Sequence, residues 1–222
     1  VEANLNGINA IGTDINPLAR LIATTKTTKI DLQVLDFFLH DFINYFFSIN
    51  FQLDKAKSVV IPSITNIDFW FSKNVQKQLS LLKHYIDKIK DHTIRNFFNV
   101  AFSETVRETS NIKQGEFKLV RSKNYETKQE QDAFAIMVSK LSRNKQGLIE
   151  FLNSAKNEAQ ASVASFNTIY EIPSTIIKPG QVDVVVTSPP YGDSRTTVAY
   201  GQYSRLANEW LGYKAANKID AM

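Results

Sequence analysis

The pattern of apolar and polar residues divides the 222-residue chain into a long helical middle and two ends of another kind. Val75, Leu79, Leu82, Ile86 and Ile89 recur at spacings of 4, 3, 4 and 3, the period of an amphipathic helix. The pattern predicts further helices over 31–50, 94–108 and 131–158, and a polar loop or short hairpin over 109–130. We therefore expect residues 31–158 to be mainly helical.

The two ends have the pattern of strands. A short apolar strand is predicted over 8–12, and Asp14 and Pro17 follow it, the proline at a helix-opening position where a missing N–H costs little. Further strands are predicted over 161–166 and 182–187, the latter a β-branched run typical of a strand buried on both faces of a parallel sheet. These strands predict an α/β fold with an incomplete parallel sheet and a large, mainly helical insertion.

Composition narrows the choice of fold and chemistry. The chain has only 8 glycines, and between Thr13 and Pro179 only Gly115 and Gly147 occur, too few for the turns of an all-β fold. The absence of cysteine excludes disulfides, thiolate zinc sites and a cysteine nucleophile within this chain. The net charge of +4 is concentrated in 111–147, which is compatible with nucleic-acid contact, although an ordinary solvated face explains it more simply.

The third predicted strand ends abruptly in Ser188-Pro189-Pro190-Tyr191. Two prolines fix φ twice and remove two N–H donors, so the carbonyl groups of this corner are left free. The corner follows the carboxyl end of a parallel strand, which is where open α/β folds bind ligands. A purely structural turn is the alternative explanation.

The chain resembles a known family at these residues. Thr187 to Tyr191 is similar to the catalytic motif of the amino-group DNA methyltransferases, which modify N4 of cytosine or N6 of adenine. Gly12 to Pro17 resembles the second cofactor-side motif of that family, and Val1-Glu2-Ala3 resembles the helix after its glycine-rich loop. The resemblance implies a partial Rossmann-like methyltransferase fold, S-adenosylmethionine as cofactor, double-stranded DNA as partner, and a cytoplasmic bacterial restriction–modification enzyme.

The resemblance also implies roles for single residues. The Ser188 side chain and the Pro189 carbonyl would accept hydrogen bonds from the target amine, beside Pro190, and Tyr191 would stack on a base flipped out of the duplex. A serine at this position favours cytosine slightly over adenine, and the lack of cysteine excludes C5-cytosine chemistry. Asp14 would bind the ribose hydroxyls of the cofactor, or act only as an acid at a helix N-terminus.

Two further groups of candidates are weaker. Asn167, after the second strand, lies where family members often contact the adenine, although a plain turn residue explains it better. The basic segment 109–128, with Phe117 and Tyr125 interleaved, suits phosphate contacts and occasional stacking, and a solvated loop explains it equally well. Its candidate DNA-binding residues are Lys113, Lys118, Arg121 and Lys123. The three histidines are scattered, and we assign them no metal or catalytic role.

The family pattern predicts a fragment. The glycine-rich loop is expected before Val1, and further strands after Met222, so we expect a methyltransferase domain over 1–30 and 159–222, a possible target-recognition insertion over 31–158, and little activity alone. Its partner would be the missing remainder or a homodimer mate.

No apolar run approaches the ~18 residues of a membrane span. The alternatives are a non-catalytic DNA-binding or assembly piece of a split methyltransferase, and an RNA amino-methyltransferase.

Overall fold

A computed structural model describes residues 1–50, 60–113, 115–116, 118–127, 129–156, 158–187 and 200–213. Helices dominate these residues, and two short strands lie far apart in the sequence. In chain order the elements are α1 (Glu2–Leu5), β1 (Ala10–Thr13), α2 (Pro17–Thr27), α3 (Leu32–Asn50), α4 (Ile67–Trp70), α5 (Lys73–Lys88), α6 (His92–Thr109), α7 (Ala133–Ser154), β2 (Ala161–Ala164) and α8 (Tyr200–Trp210). Within the described residues, no helix is both long and apolar enough to cross a membrane.

The strands β1 and β2 form a parallel pair, as the sequence predicts for two of its three strands. Ala10 pairs with Ala161 and Thr13 with Ala164, so the two strands end together at one edge. The Thr13 hydroxyl donates to the Phe166 carbonyl at 2.8 Å, which extends the pairing past the last residue of β2. The loops that follow the two strands therefore start side by side.

The third predicted strand, over 182–187, is wrong for the described residues. These residues are neither paired nor buried, and Val184, Val185 and Val186 are 75%, 80% and 93% exposed. A β-branched run fits a pleated surface, but it forms a strand only where a neighbouring strand supplies hydrogen-bond partners. None of the described segments runs beside it, so the sheet in this part of the chain has two strands rather than three.

The helices agree closely with the sequence pattern. The predicted stripe from Val75 lies on α5, and the Ser72 hydroxyl caps this helix by accepting from the Val75 N–H at 3.2 Å. Helix α6 begins two residues earlier than predicted, because the Asp91 carboxylate caps it by accepting from the N–H groups of Thr93 and Ile94 at 2.8 and 3.0 Å. A side-chain cap satisfies donors that the helix itself leaves unpaired.

The Asp91 cap gives a first prediction. Asp91→Ala leaves the first N–H groups of α6 to water, so the free energy of unfolding of the chain should fall by about 1 kcal/mol in urea unfolding. Asp87→Ala is the matched control, because it removes only the exposed ion pair with Lys83 at 2.5 Å, a contribution of about 0.3–0.5 kcal/mol. Equal losses for the two variants would contradict the capping role.

One hydrophobic core joins the helical segment to the C-terminal helix. Trp210 on α8 is buried and packs edge-on against Phe71 and Phe102, with ring centroids 5.7 and 6.2 Å apart. Trp70, Phe71 and Trp210 are all buried in this core. The core contributed by α3, α5, α6, α7 and α8 includes Leu35, Phe42, Leu79, Leu82, Ile86, Phe98, Met137 and Leu141. Helix α8 is therefore fixed by the helices of the predicted insertion.

Candidate functional site

Asp14 lies at the carboxyl end of β1 with its side chain exposed. Its Oδ1 accepts from the Asn16 N–H at 2.7 Å, and its backbone carbonyl accepts from the Arg20 guanidinium at 2.6 Å. The bond from the Asn16 N–H to the Asp14 Oδ1 closes an Asx turn, which fixes the direction of the carboxylate. Oδ2 accepts no hydrogen bond from any residue that the structure describes. One oxygen thus holds the turn and the other is available to a ligand.

Asn167 lies in the loop after β2, at the same sheet edge as Asp14. Its Oδ1 accepts from the Ile169 N–H at 3.0 Å, and its carbonyl accepts from the Tyr170 N–H at 3.1 Å. These bonds are those of a turn residue, which is the alternative that the sequence favoured. A contact with the adenine of a cofactor stays a prediction for this residue.

The predicted catalytic residues Ser188, Pro189, Pro190 and Tyr191 lie outside the described residues. The described chain reaches Thr187 on one side of them and resumes with α8 on the other. The position of α8 is therefore the nearest structural constraint on the C-terminal side of the motif.

Helix α8 is joined to the turn after β1 by polar side chains, of which Ser204 and Asn208 are buried. The Asn16 Nδ2 donates to the Ser204 Oγ at 2.9 Å, and the Asn208 Nδ2 donates to the Asn16 Oδ1 at 3.1 Å. The same Asn16 oxygen caps α2 by accepting from the Leu18 N–H at 3.1 Å. Sequence reasoning missed Ser204 and Asn208. Their only signal is two polar residues at i and i+4 on a face of α8 that also carries the buried Ala207.

Arg107 of α6 holds the basic segment against α8. Its guanidinium donates to the carbonyls of Tyr203 and Glu116 at 3.1 and 2.8 Å and stacks on the Tyr203 ring at 3.5 Å. Burial lowers the pKa of Arg107 from its usual value, because a desolvated cation is disfavoured. Residues 115–116 and α8 are thus fixed to the same side chain.

The four candidate DNA-binding residues differ in their surroundings. Lys118 and Lys123 are exposed. Lys113 is exposed too, but its ammonium pairs with Glu116 at 2.6 Å, and this hydrogen bond lowers the pKa of the Glu116 carboxyl. The sequence predicts a loop or short hairpin over 109–130, and the antiparallel bridge between Ile112 and Arg121 supports the hairpin. Phe117 lies outside the described residues.

Arg121 is engaged by aromatic rings rather than by an acid. Its guanidinium lies 4.2 Å from the centre of the Phe69 ring and 3.2 Å from that of the Tyr125 ring, and its Nε is buried without a hydrogen-bond partner in the described structure. Cation–π contacts of this kind stabilise the packing of a loop. Arg121 therefore has a structural role, and a phosphate contact from it stays a prediction.

Comparison with known proteins identifies the relationship. Over 225 residues the chain is 33% identical to the Type II methyltransferase M.MvaI of Kocuria varians, a match that covers 96% of this chain and 48% of the relative. The chain thus spans about half the length of the curated relative it matches. No protein-family model matches it, and no solved structure matches it. The match covers nearly all of the chain, including the residues at its two ends that resemble methyltransferase motifs. It shows that this chain belongs to the family of the Type II methyltransferases of restriction–modification systems.

Proposed function

We propose that this chain carries part of the active site of a site-specific, cytoplasmic DNA methyltransferase that transfers the methyl group of S-adenosylmethionine to an exocyclic amine, with N4 of cytosine favoured over N6 of adenine. The observation that carries the proposal is the Asp14 carboxylate. It follows a parallel strand, and its Oδ2 accepts no hydrogen bond from the described residues, in a chain related to a Type II methyltransferase over 96% of its length.

The chemistry at this edge fits the nucleoside part of S-adenosylmethionine. A fixed carboxylate at a strand end can accept hydrogen bonds from ribose hydroxyls, as acidic residues do in dinucleotide-binding folds. Asp14 would hold the ribose, and Asn167, with its Oδ1 in a turn, would offer its amide group to the adenine. The cofactor supplies an electrophilic methyl group on a sulfonium centre.

The motif Ser188 to Tyr191 would prepare the target amine. The lone pair of an exocyclic amine is delocalised into the base, so the nitrogen must become more sp³-like before it can attack. Acceptors from Ser188 and the Pro189 carbonyl, aimed at the N–H groups, would favour that change mainly in the transition state. Tyr191 would stack on the base once it has left the duplex.

The DNA would meet the basic hairpin closed by the Ile112–Arg121 bridge and the lysine that follows it. Lys113, Lys118 and Lys123 are exposed and can approach phosphate groups, which position a duplex without reading its sequence. Arg107 fixes this hairpin to α8, the helix that follows the catalytic motif.

Residues outside the described part would complete the site. The run from Val182 to Thr187 is exposed and unpaired, and β1 pairs only with β2 among the described strands. Because β-branched residues gain from a neighbouring strand, we infer that a further parallel strand covers this run in the active protein. The partner would be the remainder of the methyltransferase or a second copy of this chain.

A methylation assay tests the proposed function. Unmethylated genomic DNA, which contains every short recognition sequence, is incubated with tritiated S-adenosylmethionine and then digested to nucleosides. The full-length protein should label N4-methylcytosine, and the 222-residue chain alone should stay at background because its sheet is incomplete. RNA of equal base composition is the matched substrate control.

Each other result contradicts a stated part of the proposal. Label in N6-methyladenine would overturn the cytosine preference, and preferential label in RNA would favour the RNA amino-methyltransferase. Robust transfer to duplex DNA by the isolated chain would overturn its dependence on further residues. Background label with the full-length protein on all substrates, together with retained DNA binding, would favour the non-catalytic assembly piece.

A further inference from the structure

We propose that Ser204 and Asn208 of α8 are positioning residues for cofactor binding, because they hold Asn16, and Asn16 in turn holds the carboxylate of Asp14. We call Asn16, Ser204 and Asn208 together the Asn16 bracket. The inference rests on the proposed function, since it assumes that Asp14 binds the ribose of S-adenosylmethionine.

The contacts of the bracket connect two remote parts of the chain. Asn16 is 188 residues from Ser204 and 192 residues from Asn208, yet its side chain bonds to both, at 2.9 and 3.1 Å. The two α8 residues also bond to each other at 3.2 Å. Asn208 is 0% exposed and Ser204 is 5% exposed, so burial shields the α8 side of these bonds from water.

Asn16 transmits the position of α8 to Asp14. Its backbone N–H donates to the Asp14 Oδ1 at 2.7 Å, while its side chain is held by Ser204 and Asn208. The two ends of one residue thus fix the carboxylate to the helix. A rotation of the Asn16 backbone would break the Asx turn and swing Oδ2 away from its present direction.

The bracket goes beyond what a helix cap requires. Asp91 and Asp132 cap α6 and α7 by accepting only from nearby backbone N–H groups. Asn16 caps α2 in the same way, through Leu18, and in addition donates and accepts across to α8. Only an amide can do both, because a carboxylate at position 16 has no N–H to donate to Ser204. This separates a positioning role from ordinary capping.

Ser204→Ala in the full-length protein is the test. It removes one partner of Asn16 with minimal loss of volume, so we expect the dissociation constant and KM for S-adenosylmethionine to rise about three- to ten-fold, the effect of one lost hydrogen bond. kcat at saturating cofactor should stay within about two-fold of the parent value. The lost interaction holds the cofactor equally in the ground state and in the transition state, so its loss weakens binding without slowing the bound enzyme. Asn208→Ala, which removes the other partner, should behave in the same way.

Ser103→Ala is the matched control. Ser103 on α6 is 4% exposed, and its hydroxyl donates to the carbonyl three residues earlier at 2.7 Å, as the Ser204 hydroxyl does to Gly201 at 3.2 Å. Among the described residues, its hydroxyl makes no hydrogen bond to Asn16. Both serine variants should lower the thermal midpoint slightly, but only Ser204→Ala should change the affinity for the cofactor.

Amide hydrogen exchange gives a readout that needs neither cofactor nor activity. Measured on this chain, the amides of Asn16 and Leu18 should exchange at least about three-fold faster in Ser204→Ala than in Ser103→Ala, since their acceptors are held less firmly. Equal exchange at these two amides, or equal cofactor affinity in the two variants, would overturn the positioning role.

A further variant separates this inference from the proposed function. If Asp14→Ala leaves the affinity for S-adenosylmethionine unchanged, the cofactor role of Asp14 fails, and the positioning role fails with it. If Asp14→Ala weakens binding but Ser204→Ala matches Ser103→Ala, only the positioning role fails. A ligand without the ribose 2′-hydroxyl sharpens the result. With 2′-deoxyadenosyl homocysteine in place of S-adenosylhomocysteine, the dissociation constant of Ser204→Ala should come close to that of the parent protein.

Discussion

Ser188→Ala should lower methyl transfer by the full-length protein about 100- to 1,000-fold, the loss expected when one group that stabilises a transition state is removed. In the proposed mechanism, the alanine removes the acceptor that the amine needs as it becomes sp³-like, while Pro189 and Pro190 stay unsubstituted. The loss should fall on kcat, since that contact is made mainly in the transition state. Single-turnover transfer of tritium to duplex DNA measures it.

Two variants keep this result interpretable. Ser188→Asn restores an acceptor, and family members that act on adenine commonly carry Asn or Asp here, so it should recover part of the activity. Ser174→Ala changes an exposed serine that precedes the 182–187 run and should have no effect. Retention of more than a tenth of the activity in Ser188→Ala, with cofactor affinity unchanged in all three variants, would remove Ser188 from the mechanism.

Asp14→Ala should weaken the binding of S-adenosylmethionine by the full-length protein about 100-fold. Hydrogen bonds to a charged group contribute about 1.5–3 kcal/mol each, and the substitution removes both the proposed ribose acceptor and the Asx turn that aims it. Asp14→Asn keeps an Oδ1 for the Asn16 N–H and loses only the charge and one acceptor. It should therefore weaken binding less, by about 10-fold. Isothermal titration with S-adenosylhomocysteine gives both dissociation constants.

Asp31 provides the matched control for charge and turn chemistry. Its exposed carboxylate accepts from the N–H groups of Gln33 and Val34 at 2.8 and 3.2 Å, an equivalent local arrangement at the start of α3. Asp31→Ala removes the same charge and the same kind of turn away from the strand ends. A loss of affinity equal to that of Asp14→Ala would show that net charge, not the ribose contact, explains the effect.

Local interactions account for the part of the fold that the sequence predicts well. Helix α5 follows from an apolar stripe and a serine before it, and α2 follows from a proline at its first position. In each case the hydrogen bonds join residues at most four positions apart, so neighbouring side chains are enough to select the helix. Helix α6 starts two residues before its apolar pattern does, because the Asp91 cap rather than an apolar residue sets its first turn.

Non-local partners explain where the prediction was wrong or incomplete. The run Val182 to Thr187 has the composition of a buried strand, but a strand needs a neighbour, and the described chain supplies none. The contact between the Arg121 guanidinium and the Phe69 ring likewise joins residues far apart in the sequence, and the basic pattern of the segment does not predict it. Composition states what a side chain can do, and only its surroundings decide which of these it does.

The sequence by itself determined the helices, the acid at the end of the first strand and the kinship signalled by the motifs at its two ends. The tertiary structure alone decided that β1 pairs with β2 across about 150 residues, and that Asn16 meets Ser204 and Asn208 on α8. No local pattern encodes these contacts. They depend on how the helices of the middle segment pack into one core and thereby place α8 beside the turn after β1. The orientation of Asp14 is for that reason a property of the whole fold.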